Sequence, residues 1–221
     1  MEKDDDNMTT YPLIDIHSRF DAVVLANGDY PTHPVPSAIL QASEHVVCCD
    51  GAASRLSFTP WAAIGDGDSL SPETRKRLGD RFHLVTEQED NDLTKATRLC
   101  LAQGWYRLAY LGATGKREDH TLGNISLLMR YARQMGVLPT MVTDHGYFTP
   151  AHDRQTFSSF PRQQVSIFNY GCHRLSSQGL RWEAYPYSES WQGTLNEAIG
   201  DTFTLTGDGD YLVFRTFEAK L

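Results

Sequence analysis

The sequence predicts an α/β + β chain. An N-terminal, doubly wound, mostly parallel α/β domain (residues 1–144) is followed by a C-terminal antiparallel β sandwich (residues 145–221). Three observations predict it. Short apolar runs recur up to about residue 144, and several end in glycine and an acid. Helical apolar periods fall between the later runs. Beyond residue 144 the texture changes to short strand-like segments divided by glycine and polar turns. Parallel strands covered by helices on both faces read as unbroken apolar runs, whereas short strands with frequent turns read as an antiparallel sandwich.

Residues 1–20 read as an irregular leader. The first strand, Asp21-Ala22-Val23-Val24-Leu25-Ala26, runs into Asn27-Gly28-Asp29, and the second, Val46-Val47-Cys48-Cys49, into Asp50-Gly51. The third, Trp61-Ala62-Ala63-Ile64, runs into Gly65-Asp66-Gly67-Asp68-Ser69. Residues 82–85, 107–111 and 140–143 are the fourth, fifth and sixth. Leu93, Ala96 and Cys100 share one face of a helix that starts near Asp92. Leu122, Ile125, Met129 and Ala132 share a face of another that starts near Asp119. In the second domain, residues 164–170, 174–177, 180–185, 201–206 and 211–217 are the expected strands.

Composition narrows the function. The chain has 221 residues, enough for one large domain or two small ones. No apolar run reaches the length of a bilayer span. The acidic start, Met1-Glu2-Lys3-Asp4-Asp5-Asp6, lacks the basic and apolar parts of a secretory signal, so a cytoplasmic location is expected. Cys48, Cys49, Cys100 and Cys172 show no CxxC spacing and read as small core residues, which argues against structural zinc and a disulfide framework. A net charge of -8 disfavours nucleic-acid binding. It leaves room for a small anionic substrate held by a metal and a few local cations.

The acids at the strand ends carry the chemistry. In extended backbone, residues two apart point the same way, so Asp66 and Asp68 face one point beyond the third strand. Two carboxylates about 4 Å apart repel by roughly 4 kcal/mol at an effective dielectric near 20, which calls for a cation between them. Oxygen-only ligands of this type suit Mg²⁺; an Asp-Gly turn with solvated acids is the simpler alternative. Asp92 and Asp119 each open a helix, where an acid also complements the helix dipole. The loop from Gly112 to His120 offers backbone N–H groups, Lys116 and Arg117 to phosphate oxygens, with a solvated surface loop as the alternative.

These stretches occur together in one family. Cys49-Asp50-Gly51-Ala52-Ala53-Ser54-Arg55-Leu56, Gly65-Asp66-Gly67-Asp68-Ser69, the run from Gln88 to Ala96, and Gly112 to Ile125 with Arg117-Glu118-Asp119-His120 match it in order. Gly179-Leu180-Arg181-Trp182 and Gly193-Thr194-Leu195-Asn196-Glu197 match more weakly. The chain resembles the thiamine pyrophosphokinases over most of its length. The resemblance implies transfer of the pyrophosphoryl group of ATP to the hydroxyl of thiamine, with AMP leaving, in a homodimer. It implies Mg²⁺ at Asp66, Asp68 and Asp92, with Arg117 and Asp119 also in the chemistry. Nucleotide contacts fall to Asp50, Gly51, Arg55, Thr94, Lys95, Gly112, Arg117 and His120, and thiamine contacts to Thr194 and Asn196.

Departures from the family pattern include Ala52 and Ser54, Gly67 where a bulkier residue is common, Glu89 for Asp, Asn91 for Thr, Lys116 for Gly, and Leu195 for Ser. Leu195 keeps a second acceptor open, another hydroxymethyl heterocycle such as a pterin. A third alternative is a non-catalytic thiamine or nucleotide sensor. Trp182 and Trp191 read either as core or as an aromatic face for a cationic ring.

Overall fold

The computed structural model describes residues 10–87 and 89–220. Gln88 of the third family stretch and the acidic start, Met1 to Asp6, lie outside the described residues. Two compact units are present: Ile16–Asp144 and, as the other, the described part of Met1–Asp15 with His145–Leu221. The first strand in chain order, β1 (Thr10–Tyr11), belongs to the latter.

The unit Ile16–Asp144 holds six parallel strands: β2 (Ala22–Leu25), β3 (Val46–Cys49), β4 (Ala62–Gly65), β5 (Phe82–Leu84), β6 (Arg107–Leu111) and β7 (Leu138–Val142). Their order is β7-β6-β2-β3-β4-β5, every pair parallel. The chain therefore builds outward from β2 through β3, β4 and β5, then returns to β2's other side with β6. Every residue of β2, β3 and β4 is buried, which explains the unbroken apolar runs. The thiols share this burial, and Cys48 and Cys100 are pushed up to about 12 by it, so neither is a nucleophile.

Among the described residues, four α-helices connect these strands. α1 (Pro34–Ala42) and α2 (Pro72–Leu78) were not anticipated, although each opens with a proline at its first position behind a capping residue, His33 and Ser71. α3 (Asp92–Ala102) starts at the expected residue and buries Leu93, Ala96 and Cys100. α4 (Glu118–Met135) departs from expectation. It buries Leu128, Met129 and Tyr131, and Leu122 is 70% exposed. Its first turns stand beyond the strand ends, where His120 and Asn124 face a cavity.

The other unit is antiparallel, built from β8 (Gly146–Ser158), β9 (Gln163–Asn169), β10 (Leu175–Gln178), β11 (Asn196–Glu197) and β12 (Thr202–Ala219). The two strands expected over 201–206 and 211–217 are one strand, β12, with a register shift between Thr206 and Asp210. One half of β12 pairs with β10 and the other with β9, while β8 runs along both. Residues from both halves, including Phe157, Val165, Ile167, Phe203, Leu205 and Tyr211, close on one core.

Two expectations for this unit need correction. Residues 180–185 form only a single antiparallel bridge, Leu180 to Ala198, with the Arg181 N–H donating to the Glu197 carbonyl; beyond it side chains take over, as Asn196 occupies both backbone groups of Trp182 and Ser177 Oγ accepts from the Ala184 N–H. The supposed irregular leader is also ordered within residues 10–15. β1 pairs parallel to β8, and the buried guanidinium of Arg215 donates to the carbonyls of Tyr11 (3.3 Å), Pro12 (3.0 Å) and Ser158 (2.7 Å). Among the described residues no helix is long and apolar enough to cross a membrane.

Candidate active site

The chain's reversal of direction between β2 and β6 leaves a crevice at their carboxyl ends, the usual ligand position in an open α/β sheet. A cavity of about 520 Å³ lies there. The end of β2 supplies Asn27 and Gly28, β3 supplies Asp50, and the loop after β4 supplies Asp66, Asp68 and Ser69. The start of α3 brings Asp92 and Lys95, and the β6–α4 connection brings Gly115, Lys116, Arg117, His120 and Asn124. Gly28 allows the close approach: a Cβ there would lie 2.2 Å from the Thr114 carbonyl oxygen and 2.4 Å from that of Gly112.

The acidic wall is held under tension. Asp50 is 5% exposed and adopts a positive φ of 32°, a sparsely populated conformation for a residue with a side chain. Its Oδ2 accepts from the Ser69 N–H at 2.9 Å, while its Oδ1 is buried with no protein partner. Asp66 Oδ1 accepts from the Asp68 N–H at 3.1 Å, which fixes the turn between the two acids. The Asp92 carboxyl is raised above its ordinary value, first by burial and further by the charges of Asp50 and Asp66, while Lys95 opposes the shift. Lys95 is itself nearly buried, with Nζ 3.4 Å from Asp92, 4.0 Å from Glu87 and 3.3 Å from the Val85 carbonyl.

Among the described residues no three His, Cys, Asp or Glu side chains are gathered tightly enough to grip a metal ion as they stand. The donor set nevertheless fits a hard divalent cation. All the acids are carboxylates on one wall, and a cation among them would satisfy the orphaned Asp50 oxygen and relieve the mutual repulsion at Asp92.

The cationic wall is more open. Lys116, at φ 59°, donates to the Asn27 carbonyl at 2.5 Å. Arg117 makes a two-pronged bond with Asp119, at 3.0 Å through Nε and 2.5 Å through Nη2. That pairing holds the Asp119 carboxyl down to about 2. It also leaves Asp119 outside the cavity wall that Arg117 and His120 line.

A second cavity, of about 320 Å³, lies wholly within the strand-rich unit. Trp182, Glu183, Tyr185, Tyr187, Thr194, Leu195 and Asn196 are among its lining residues. Tyr185 and Tyr187 meet edge to face at 4.4 Å. Trp182 and Trp191 are 51% and 69% exposed, so neither is a core residue.

Family comparison decides the identity. The family model "Thiamin pyrophosphokinase, catalytic domain" matches residues 37–138, and "Thiamin pyrophosphokinase, substrate-binding domain" matches residues 146–214. The chain belongs to the thiamin pyrophosphokinase family. It is similar to thiamine pyrophosphokinase 1 of Oryza sativa subsp. japonica, with 27% identity over 75% of this chain and 76% of the rice protein. It is also similar to thiamin pyrophosphokinase 1 of Caenorhabditis elegans, with 30% identity over 49% of this chain and 51% of that protein. Its fold matches the solved thiamin pyrophosphokinase of Candida albicans with a TM-score of 0.76 at 15% identity, covering 99% and 96% of the two chains. The yeast enzyme matches with a TM-score of 0.73 at 18% identity, covering 98% and 95%.

The residues that the resemblance implies for the site take distinct positions in this fold. Asp50, Asp66, Asp68, Asp92, Lys95, Arg117 and His120 line the large cavity together. Gly51, Arg55, Thr94, Gly112 and Asp119 do not. Gly51 permits packing, since a Cβ there would lie 2.8 Å from Asn27 Nδ2. Arg55 donates to the Gly28 carbonyl at 2.5 Å and stacks over Tyr30. The Thr94 hydroxyl is buried between Asn91 and Tyr131. Gly112 turns the chain at φ 60°, where a Cβ would sit 2.7 Å from the Ala26 carbonyl oxygen.

In the second cavity Thr194 bonds back to the Trp191 carbonyl at 2.6 Å, and Asn196 is 5% exposed. Sequence reasoning did not single out Asn27, Ser69, Asp90 or Asn124 as wall residues. Asn27 and Ser69 do adjoin acids that it flagged. Asn124 lies in the family-matching stretch that ends at Ile125, but only the fold returns α4 to the cavity.

Proposed function

We propose that this chain catalyses attack of the thiamine hydroxyl on the β-phosphorus of ATP. The hydroxyl oxygen bonds to the β-phosphorus and gives up its proton to solvent, the β-phosphorus bond to the α–β bridging oxygen breaks, and AMP leaves with that oxygen. The observation that carries this reading is the pairing, across one crevice at the sheet's switch point, of a carboxylate wall with a lysine–arginine wall. Such a gap suits a triphosphate and its counter-cation.

Asp66, Asp68 and Asp92 would hold Mg²⁺, with Asp50 as a further oxygen donor. The bound ion would neutralise phosphate charge as it shifts to the leaving group. Lys95 and Arg117 steady phosphate oxygens, Arg117 through its planar fork. Lys116 already bonds the β2 end, so it closes the loop over the nucleotide. His120 supplies a hydrogen bond at the rim. Asp119 orients Arg117. The aromatic cavity of the strand-rich unit takes the cationic heterocycle, with Trp182 and Tyr185 as apolar faces and Glu183 as a counter-charge. On this reading the protein works in the cytoplasm as a homodimer, which light scattering checks.

Release of AMP from ATP and Mg²⁺, measured with thiamine, with a hydroxymethyl pterin and with no acceptor, tests the assignment. Thiamine-dependent release is expected. Release with the pterin alone would reassign the acceptor, and silence with every acceptor would favour a sensor.

A further inference from the structure

Two ties stitch the opposing walls of the large cavity together, and no catalytic role uses them. The first centres on Asp90, whose side chain is 9% exposed. It accepts from Arg98 of α3 at 2.5 Å on Oδ2 and from Arg130 of α4 at 2.8 Å on Oδ1. Both oxygens are thus engaged, and Asp90 is not free to serve as a ligand although it touches the cavity. The second begins at Asn91, whose Oδ1 caps α3 by accepting from the Thr94 N–H at 3.0 Å. Its Nδ2 donates to Asn124 Oδ1 at 3.2 Å, and Asn124 Nδ2 donates in turn to the Ala113 carbonyl at 2.8 Å.

α4 therefore grips two neighbours at once. Through Arg130 and Asn124 it holds the N-terminus of α3, which carries Asp92 and Lys95. Through Asn124 it also holds Ala113, at the head of the loop that carries Lys116 and Arg117. Opposite charges on the two walls attract one another across the gap. Rigid struts are what keep such a gap open. We propose that Arg130 and Asn91 are positioning residues that act through Asp90 and Asn124. They fix Asp92 against the Lys116–Arg117 loop and so set the gap for a magnesium-bound triphosphate. This inference rests on the proposed function. At Asn91 it depends on the side-chain amide that reaches Asn124. Arg130 lies outside the cavity wall, so any effect of its removal on nucleotide binding travels through the tie.

The test uses calorimetric titration of MgCl₂ with a non-hydrolysable ATP analogue, beside thermal melts and the KM for thiamine. The proteins are the full chain and its Arg130→Gln, Arg130→Lys and Asn91→Ser variants. Serine keeps the helix cap but does not reach Asn124. Arg130→Gln and Asn91→Ser are expected to weaken magnesium–nucleotide binding by about tenfold, with the KM for thiamine unchanged and with Arg130→Lys recovering most of the loss. A lowered melting temperature with unchanged nucleotide affinity in both variants would overturn the inference and reduce the ties to structural bonds. A wild-type chain that bound no magnesium–nucleotide would overturn the functional reading and this inference with it. Should Arg130→Gln fail to fold, Asn91→Ser decides.

Discussion

Asn196 holds Trp182 by both of its backbone groups: Oδ1 accepts from the Trp182 N–H at 3.2 Å, and Nδ2 donates to the Trp182 carbonyl at 2.7 Å. A side-chain amide thus takes both backbone groups of Trp182, just past the bridge between Leu180 and Ala198. It leaves Trp182 half exposed at the mouth of the aromatic cavity. Asn196 lines the same cavity and holds the Trp182 backbone in place beside it.

Asn196→Ala therefore removes both bonds and strands two partly buried backbone groups, at a cost of about 1–3 kcal/mol. Steady-state kinetics should show a raised KM for thiamine with the KM for ATP unchanged. An unaltered thiamine KM would show that Trp182 needs no such clamp.

Asp50 combines burial, a strained backbone and an orphaned oxygen. Removing a buried charge that lacks a partner stabilises the metal-free fold. Asp50→Asn is expected to melt higher than wild type in chelator, by the equivalent of about 1–2 kcal/mol, and to gain less on adding Mg²⁺. Identical magnesium-induced shifts in the two proteins would remove Asp50 from the metal's surroundings.

Arg215 is 1% exposed, stacked over Tyr147 and Phe157, and bonded to three carbonyls. Arg215→Ala leaves a cavity and unpaired carbonyls, so urea unfolding should report a loss of about 3 kcal/mol or more. A loss within about 0.5 kcal/mol, the range of a neutral surface change, would contradict the latch.

Asp144 gives a pH signature. Burial raises its carboxyl, but hydrogen bonds from Thr32 and His33 outweigh that and hold it below its ordinary value. A depressed acid contributes stability in full above its unfolded value and loses it as pH falls through the folded one. The stability gap between wild type and Asp144→Asn should be constant at neutral pH and close below about pH 4. A gap that persisted in acid would mean the shift is absent.

Much of this architecture was legible because burial on both faces leaves a plain trace. β2, β3, β4 and β6 appear as apolar runs, and glycines beside acids mark where they stop. The acidic wall was legible for the same reason, since strand ends converge wherever the strands are parallel. What escaped depends on long-range closure. Leu122 fits a helical stripe, yet lies on a turn of α4 that overhangs the sheet. The alternation of β12 breaks at Gly207-Asp208-Gly209, so one bent strand reads as two. Partners distant in sequence are also invisible to it: the Thr94 hydroxyl meets the Tyr131 hydroxyl, and the Asn196 amide meets the Trp182 carbonyl.

The central claim is that acids from separate strand ends act together on one magnesium-bound triphosphate. Thiamine-dependent AMP release by Asp68→Asn and Asp92→Asn, each checked for a native melt, tests it most directly. Both variants should fold and lose turnover by a factor of about 10² or more. Near-wild-type magnesium-dependent release by either one would contradict the account.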